Sequence, residues 1–257
     1  MSRAEGAAAP REARPVALVL AGGDLPPAEL VAPLLRGAAF VVAADGGLRH
    51  AAALGLAPDM LVGDLDSVTA EAMSAHAGVP VERHPSAKDE LDLELALAAA
   101  RRLGAREARV LGAFGDRLDQ SLAALLVAAR LATSAPPFPV SLHGGAHEAH
   151  VCAPGVPCEA GWPAGTTVSL LALAGGAVVS ASGLAYPVEG LRLPFGVGLG
   201  VSNVVVGERV SLRCEAGVVA VIAEHAVAGR QPSGADATSN TISTPGPVSR
   251  TSRSPTS

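Results

Sequence analysis

The chain has 257 residues and a formal net charge of −5, enough length for one large or two modest domains and too acidic for a nucleic-acid binder, which needs a basic surface. Apolar residues make up 49% and aromatics only 2%, so any core has to be built from Ala, Val and Leu. No stretch reaches the roughly 18 uninterrupted apolar residues of a membrane span, the first 15 residues lack a signal peptide's apolar centre, and three cysteines (Cys152, Cys158, Cys214) are too few and scattered for a disulfide framework; a cytoplasmic protein is expected, with the cysteines as small buried hydrophobes.

Residues 1–15, polar and Ala-rich, read as a flexible tail. Residues 16–20 (VALVL) are a continuous apolar run, as expected of a strand buried on both faces of a parallel sheet. The run ends in Ala21-Gly22-Gly23-Asp24, and a helix is expected over 28–36. A second strand over 40–44 ends at Asp45-Gly46-Gly47 and leads to a helix over 48–54, broken by Gly55 and Pro58. A third strand, 60–62, ends at Gly63-Asp64-Leu65-Asp66-Ser67. A helix over 69–77 and a weak strand over 79–82 follow. The segment Lys88-Asp89-Glu90-Leu91-Asp92-Leu93-Glu94 then runs into an Ala/Leu-rich helix reaching about 103. A helix starting near Lys88 would put Lys88 and Asp92 on one face, and Asp89 with Asp92. A fifth strand, 109–111, leads through Gly115-Asp116-Arg117-Leu118-Asp119 into a helix to about 130. Strand, polar loop and helix five times over is the pattern of an open α/β sheet, whose ligands sit at the carboxyl ends of the strands.

Beyond about residue 136 helical periodicity gives way to short β-type runs at 168–173, 177–179, 201–206, 210–212 and 218–222, the signature of a small sandwich or barrel. The expected fold is an N-terminal three-layer α/β domain with a mostly parallel sheet (16–145), then a small all-β sandwich or barrel (146–227). Residues 228–257, rich in Ser, Thr and Pro, read as a disordered tail. His143, His147 and His150 fall in what reads as a Gly-rich loop at the domain junction.

The polar signals therefore gather on one rim. Asp45, Asp64, Asp66 and Asp92 are candidate ligands of Mg²⁺, a hard ion that takes one or two carboxylates together with water and phosphate oxygens. Asp64 and Asp66 would share a side if that segment is extended. Lys88, the single lysine among 19 basic residues, and Arg117 would supply positive charge to phosphates, one as a point charge and one as a fork. Phosphoryl-type transfer is catalysed by positioning and electrostatics, so this kit needs no protein nucleophile. No Walker A sequence, GxGxxG or GxSxG is present.

These motifs resemble the thiamine pyrophosphokinases. The likeness rests on Ala44-Asp45-Gly46-Gly47, Gly63-Asp64-Leu65-Asp66-Ser67, the 88–94 segment, Gly115-Asp116-Arg117-Leu118-Asp119, Gly183-Leu184-Ala185-Tyr186-Pro187 and Ser202-Asn203. The resemblance implies a homodimer that transfers the pyrophosphoryl group of ATP to thiamine. It implies that Asp45, Asp64, Asp66 and Asp92 hold Mg²⁺ and orient the thiamine hydroxyl. Gly46, Gly47, Ser67, Lys88, Asp89, Arg117 and Asp119 would serve the nucleotide, and Ser202 and Asn203 the aminopyrimidine of thiamine. Leu65, Leu91, Gln120 and Ala124 depart from the family's usual Phe, Thr, His and Asn. A pyrophosphokinase for another alcohol, such as a hydroxymethylpterin, and a non-catalytic nucleotide- or thiamine-binding module are the alternatives.

Overall fold

The computed structural model describes residues 15–66 and 68–226. Residues 1–14 of the expected N-terminal tail, the whole C-terminal tail and Ser67 lie outside the described residues. Strand β1 (Val16–Leu20) is buried along its whole length and lies between two parallel neighbours, β2 (Ala38–Ala44) and β5 (Glu107–Leu111). Outward from β2 come β3 (Met60–Gly63) and β4 (Val81–Arg83), and beyond β5 comes β6 (Val140–Gly144), all parallel.

Alternation along β1 feeds two cores. Ala17 and Val19 face α4 (Asp92–Arg102) and α5 (Leu118–Ala132), together with Leu93, Ala96 and Ala128. Leu18 and Leu20 face the other layer, with Val31 of α1 (Ala28–Leu35) and Leu48 and Ala51 of α2 (Leu48–Leu54). Helix α3 (Ala70–Ala75) is capped by Thr69, whose hydroxyl accepts from the Ala72 amide at 3.2 Å. Arg109 of β5 ties α1 down by donating to the Leu34 and Arg36 carbonyls at 2.8 and 2.9 Å.

Helix α4 begins at Asp92, not near Lys88. The residue before it, Leu91, is extended (φ −71°, ψ 148°), and Lys88 sits in the preceding loop. Lys88 still reaches Asp92, but from outside the helix.

After β6 the sheet does not stop. Strand β7 (His147–Cys152) turns back antiparallel on β6, and β12 (Val210–Glu224), β9 (Thr167–Ser182) and β10 (Val188–Leu193) continue it; β11 (Gly200–Val204) pairs with β9 and β8 (Cys158–Ala160) with β12. The stretches read as four separate strands at 168–173, 177–179, 210–212 and 218–222 are thus two long ones. Each bends at glycines with positive φ, Gly175 and Gly176 in β9 and Gly217 in β12. A Cβ at Gly217 would overlap the Gly176 carbonyl, so the two bends nest. Beyond the bends both strands enter a second layer, which packs back over Val168, Leu170, Val179, Leu212, Val219 and Val221 as a sandwich-type core.

The three histidines lie on β6 and β7, not in a loop. Glu148 of β7 accepts from His150 Nε2 at 2.5 Å and His225 Nε2 at 3.0 Å, and His143 Nδ1 lies 3.9 Å away. Polar side chains at these strand positions hid the apolar alternation that marks a strand. Among the described residues no helix is long and apolar enough to cross a membrane.

Candidate active site

The tips of β1, β2, β3 and β5 and the start of α4 surround a cleft of about 690 Å³. Its lining includes Asp45, Gly46, Asp64, Lys88, Asp92 and Arg117 from the expected set. The ammonium of Lys88 lies 2.7 Å from Asp92 Oδ1. That contact, reinforced by the charges of Asp64 and Asp45, raises the Lys88 pKa above its ordinary value despite some loss of solvent. Asp45 and Asp92 converge because residue 63 is glycine: a Cβ there would lie 3.0 Å from Asp45 Cβ and 3.3 Å from Asp92 Oδ1.

The backbone is under strain at these motifs. Asp45 (φ 40°), Leu65 (φ 62°) and Ser202 (φ 63°) are the non-glycine residues with positive φ among the described residues. Each such conformation costs on the order of 1 kcal/mol or more, and all three fall in segments singled out from sequence.

Leu65's left-handed conformation overturns the extended reading of residues 64–66. The chain turns so that the Asp66 amide donates to Asp64 Oδ1 at 3.0 Å, which lowers the Asp64 pKa. Asp66 is thereby turned outward; it accepts from the Ser86 hydroxyl at 3.0 Å and does not line the cleft. Asp89 also lies outside the cleft, which Glu90 lines instead. Asp119 is not a lining residue either. It accepts two bonds from Arg117, at 2.9 and 2.6 Å, which pull its pKa down to about 2. Gly47 is buried, and a Cβ on it would overlap the Leu20 carbonyl, so its part is close packing of the loop on β1.

Ser202 and Asn203 are on β11, away from this chain's cleft. Asn203 is buried and its amide is occupied. Its Oδ1 accepts from the Tyr186 and Val204 amides at 3.0 and 2.8 Å, and its Nδ2 donates to the Tyr186 carbonyl at 3.0 Å. Within one chain Asn203 therefore holds the 183–187 loop rather than a ligand.

Sequence reasoning passed over Asp24, Arg49 and Asp116, all of which line the cleft. Their common signal is a charged residue within three positions of a glycine at a strand end. A second cavity of about 450 Å³ shares Asp24, Phe114, Gly115, Asp116 and Ser121 with the cleft and adds the apolar Leu122, Leu125 and Ile222.

Three carboxylates around one ammonium leave the centre net negative, which suits a hard divalent cation. Among the described residues no three His, Cys, Asp or Glu side chains stand so that they could hold a metal ion together, so an ion here would take fewer protein ligands at a time and draw the rest from water and phosphate oxygens.

Residues 31–138 match the family model described as "Thiamin pyrophosphokinase, catalytic domain", and residues 157–219 match "Thiamin pyrophosphokinase, vitamin B1 binding domain". No curated protein sequence matches the chain significantly. Among solved structures, the thiamine pyrophosphokinase of Bacillus subtilis superposes with a TM-score of 0.71 at 20% identity, over 82% of this chain and 100% of that one. A thiamin pyrophosphokinase family protein from Enterococcus faecalis gives 0.65 at 24%, over 83% and 100%. The Candida albicans thiamin pyrophosphokinase gives 0.68 at 15%, over 82% and 90%. At these identities the structures speak for the shared fold.

Proposed function

The chain belongs to the thiamin pyrophosphokinase family, both parts of which it carries in order, and we infer that it is a thiamine diphosphokinase transferring the β,γ-pyrophosphoryl group of ATP to the hydroxyl of thiamine with release of AMP. The observation that carries this reading is the convergence of Asp45, Asp64 and Asp92 on Lys88 at the carboxyl ends of the parallel strands. The vitamin B1-binding match at 157–219 favours thiamine over a pterin alcohol as acceptor.

In the reaction, the thiamine oxygen bonds to the β-phosphorus, the bond from that phosphorus to the α–β bridging oxygen breaks, and AMP leaves with that oxygen. Asp45, Asp64 and Asp92 are the residues that would hold Mg²⁺. When bound, the ion neutralises phosphate charge and makes the β-phosphorus a better electrophile. Lys88, charged beside the three carboxylates, competes with the metal for them until the nucleotide enters and then presents its ammonium to the phosphates. Arg117, whose exposed pair with Asp119 is easily exchanged, turns its fork to a phosphate. The apolar cavity beyond Phe114 fits the nucleobase in size and lining. A thiazolium cation suits the acidic rim by charge.

We also propose the division into a catalytic half (16–145) and a thiamine-binding half (146–227), and a homodimer in which Ser202 faces the cleft of the partner. Support comes from two exposed apolar surfaces: Leu118, Leu122 and Leu126 along α5 beside the cleft, and Tyr186, Phe195, Val197, Leu199 and Val201 on the sandwich. Three free cysteines suit a reducing cytoplasm. The test is to incubate the protein with thiamine, ATP and Mg²⁺ and separate the products by chromatography. Equal amounts of AMP and thiamine diphosphate are expected; ADP as the only nucleotide product, or no product, would refute the reading.

A further inference from the structure

The cleft is lined by six carboxylates, Asp24, Asp45, Asp64, Glu90, Asp92 and Asp116, against three cations, Arg49, Lys88 and Arg117. A polyanionic substrate entering it needs positive charge that is not already spent. Lys88 is paired with Asp92, and Arg117 has first to give up Asp119 before it can reach a phosphate. Arg49 forms no ion pair among the described residues. It is exposed and lies in the first turn of α2, immediately after the Asp45-Gly46-Gly47 tip of β2.

Its guanidinium is nonetheless held. Nη2 donates to the Gly22 and Gly23 carbonyls, the latter at 3.3 Å, and Nη1 to the Gly46 carbonyl at 3.3 Å. Carbonyl oxygens satisfy N–H groups without cancelling the charge, and a guanidinium has five N–H donors to share. Arg49 is thus fixed between the tips of β1 and β2 with its full charge available. At Gly22 the wall is bare: a Cβ there would meet nothing within 4 Å, so an oxyanion can come close beside the guanidinium.

We propose that Arg49 is the main phosphate-binding side chain of the cleft, taking oxygens of the nucleotide's polyphosphate with its charge and the N–H donors that the three carbonyls leave over. This rests on the proposed pyrophosphokinase reading and assigns the polyphosphate its place against the β1 and β2 tips.

The test uses the full chain and calorimetric titration with Mg²⁺ plus either a non-hydrolysable ATP analogue or AMP. Arg49→Met is expected to weaken analogue binding about tenfold or more, as loss of a charge-assisted contact does, and AMP binding less than about twofold. Arg49→Lys, which keeps the charge but not the carbonyl contacts that hold the guanidinium in place, is expected in between. His50 Nε2 lies 2.8 Å from the Gly23 carbonyl, so His50→Ala loosens the same turn without removing charge. It should leave the analogue-to-AMP affinity ratio as in the wild type. Equal losses for analogue and AMP in Arg49→Met, or the same ratio change in His50→Ala, would overturn the proposal. If Arg49-dependent analogue binding is found but no thiamine diphosphate forms, the assignment stands and the reaction reading fails. If the wild type makes thiamine diphosphate and Arg49→Met binds the analogue normally, the assignment alone fails.

Discussion

Lys88 Nζ approaches Asp92 Oδ1 to 2.7 Å from outside α4, so the chain's one lysine closes the end of the helix whose first residue it pairs with. It is also the positive charge toward which Asp45 and Asp64 are drawn. Removing it leaves three carboxylates facing one another. Lys88→Met is expected to reduce turnover by about a hundredfold or more while tightening Mn²⁺ binding in the absence of nucleotide, measured by electron paramagnetic resonance. Weaker Mn²⁺ binding would show that the ammonium organises the carboxylates rather than competing for them. Lys88→Arg should rescue little, because a planar fork does not replace a compact ammonium there.

Asp64 and Asp66, two residues apart, are expected to behave differently. Asp64→Asn keeps the oxygen that accepts the Asp66 amide, so the fold should hold, with Tm changed by no more than about 2 °C. Mg²⁺-dependent AMP formation should fall by about 10²–10³. Asp66→Asn, outside the cleft and bonded to Ser86, should cost less than about fivefold. Comparable losses in the two variants would mean that the 64–66 turn rearranges to bring Asp66 inward when substrate binds.

The positions read as thiamine contacts separate in the same way. Asn203→Ala removes three hydrogen bonds that anchor Tyr186 and Val204, and a destabilisation of about 1–3 kcal/mol by chemical denaturation is expected, with a raised KM for thiamine. Ser202→Ala should leave stability within about 0.5 kcal/mol and act on thiamine KM alone. A stability loss in Ser202→Ala equal to that of Asn203→Ala would contradict this division of labour.

Stability should also depend on pH through the cluster around Glu148. Burial alone would raise the Glu148 pKa, but hydrogen bonds from His150 and His225 hold it well below the usual carboxylate range. Burial likewise opposes the charge on His150, yet the neighbouring Cys158 and the bonded Glu148 outweigh it and lift the pKa to about 9. His143, buried beside them, is pushed down to about 4. A raised folded-state pKa stabilises fully below the unfolded value of 6.5 and is lost as pH climbs to about 9. The depressed Glu148 stabilises above its ordinary 4.5 and is lost on acidification, and His143 adds a loss between pH 6.5 and about 4. Cys158 works against the His150 loss, since its thiol is drawn down to about 7 beside Cys152 and His150 and so stabilises increasingly as pH rises to 9; Tm should therefore fall below pH 6.5 and change little between pH 7 and 9. Glu148→Gln should have a lower Tm at pH 7 and a smaller further loss below pH 4.5; an acid-side slope equal to the wild type's would remove Glu148 from the explanation.

Much of the α/β half was legible because continuous apolar runs such as 16–20 leave little choice, and α2 falls at 48–54 as expected. The β half was less so. Gly175, Gly176 and Gly217 look like turns in sequence but are bends within long strands, and His143, Glu148 and His150 occupy positions where apolar residues would have announced β6 and β7. In the site, strand-end spacing correctly brought Asp45, Asp64, Lys88, Asp92 and Arg117 to one cleft. It failed for Asp66 because nothing in Asp64-Leu65-Asp66 signals a left-handed leucine, and for Arg49 because a lone arginine in a short helix carries no motif.

The unbroken pairing from β5 through β6 and β7 to β12 has a consequence for how such a protein can change over time. Two modules joined by a linker can be exchanged, duplicated or lost separately. Here cutting at the β6–β7 hairpin would strip hydrogen-bond partners from both sides at once and expose raw sheet edges. Recombination at that seam is penalised, so the parts matched as catalytic and as vitamin B1-binding are expected to diversify together rather than separately.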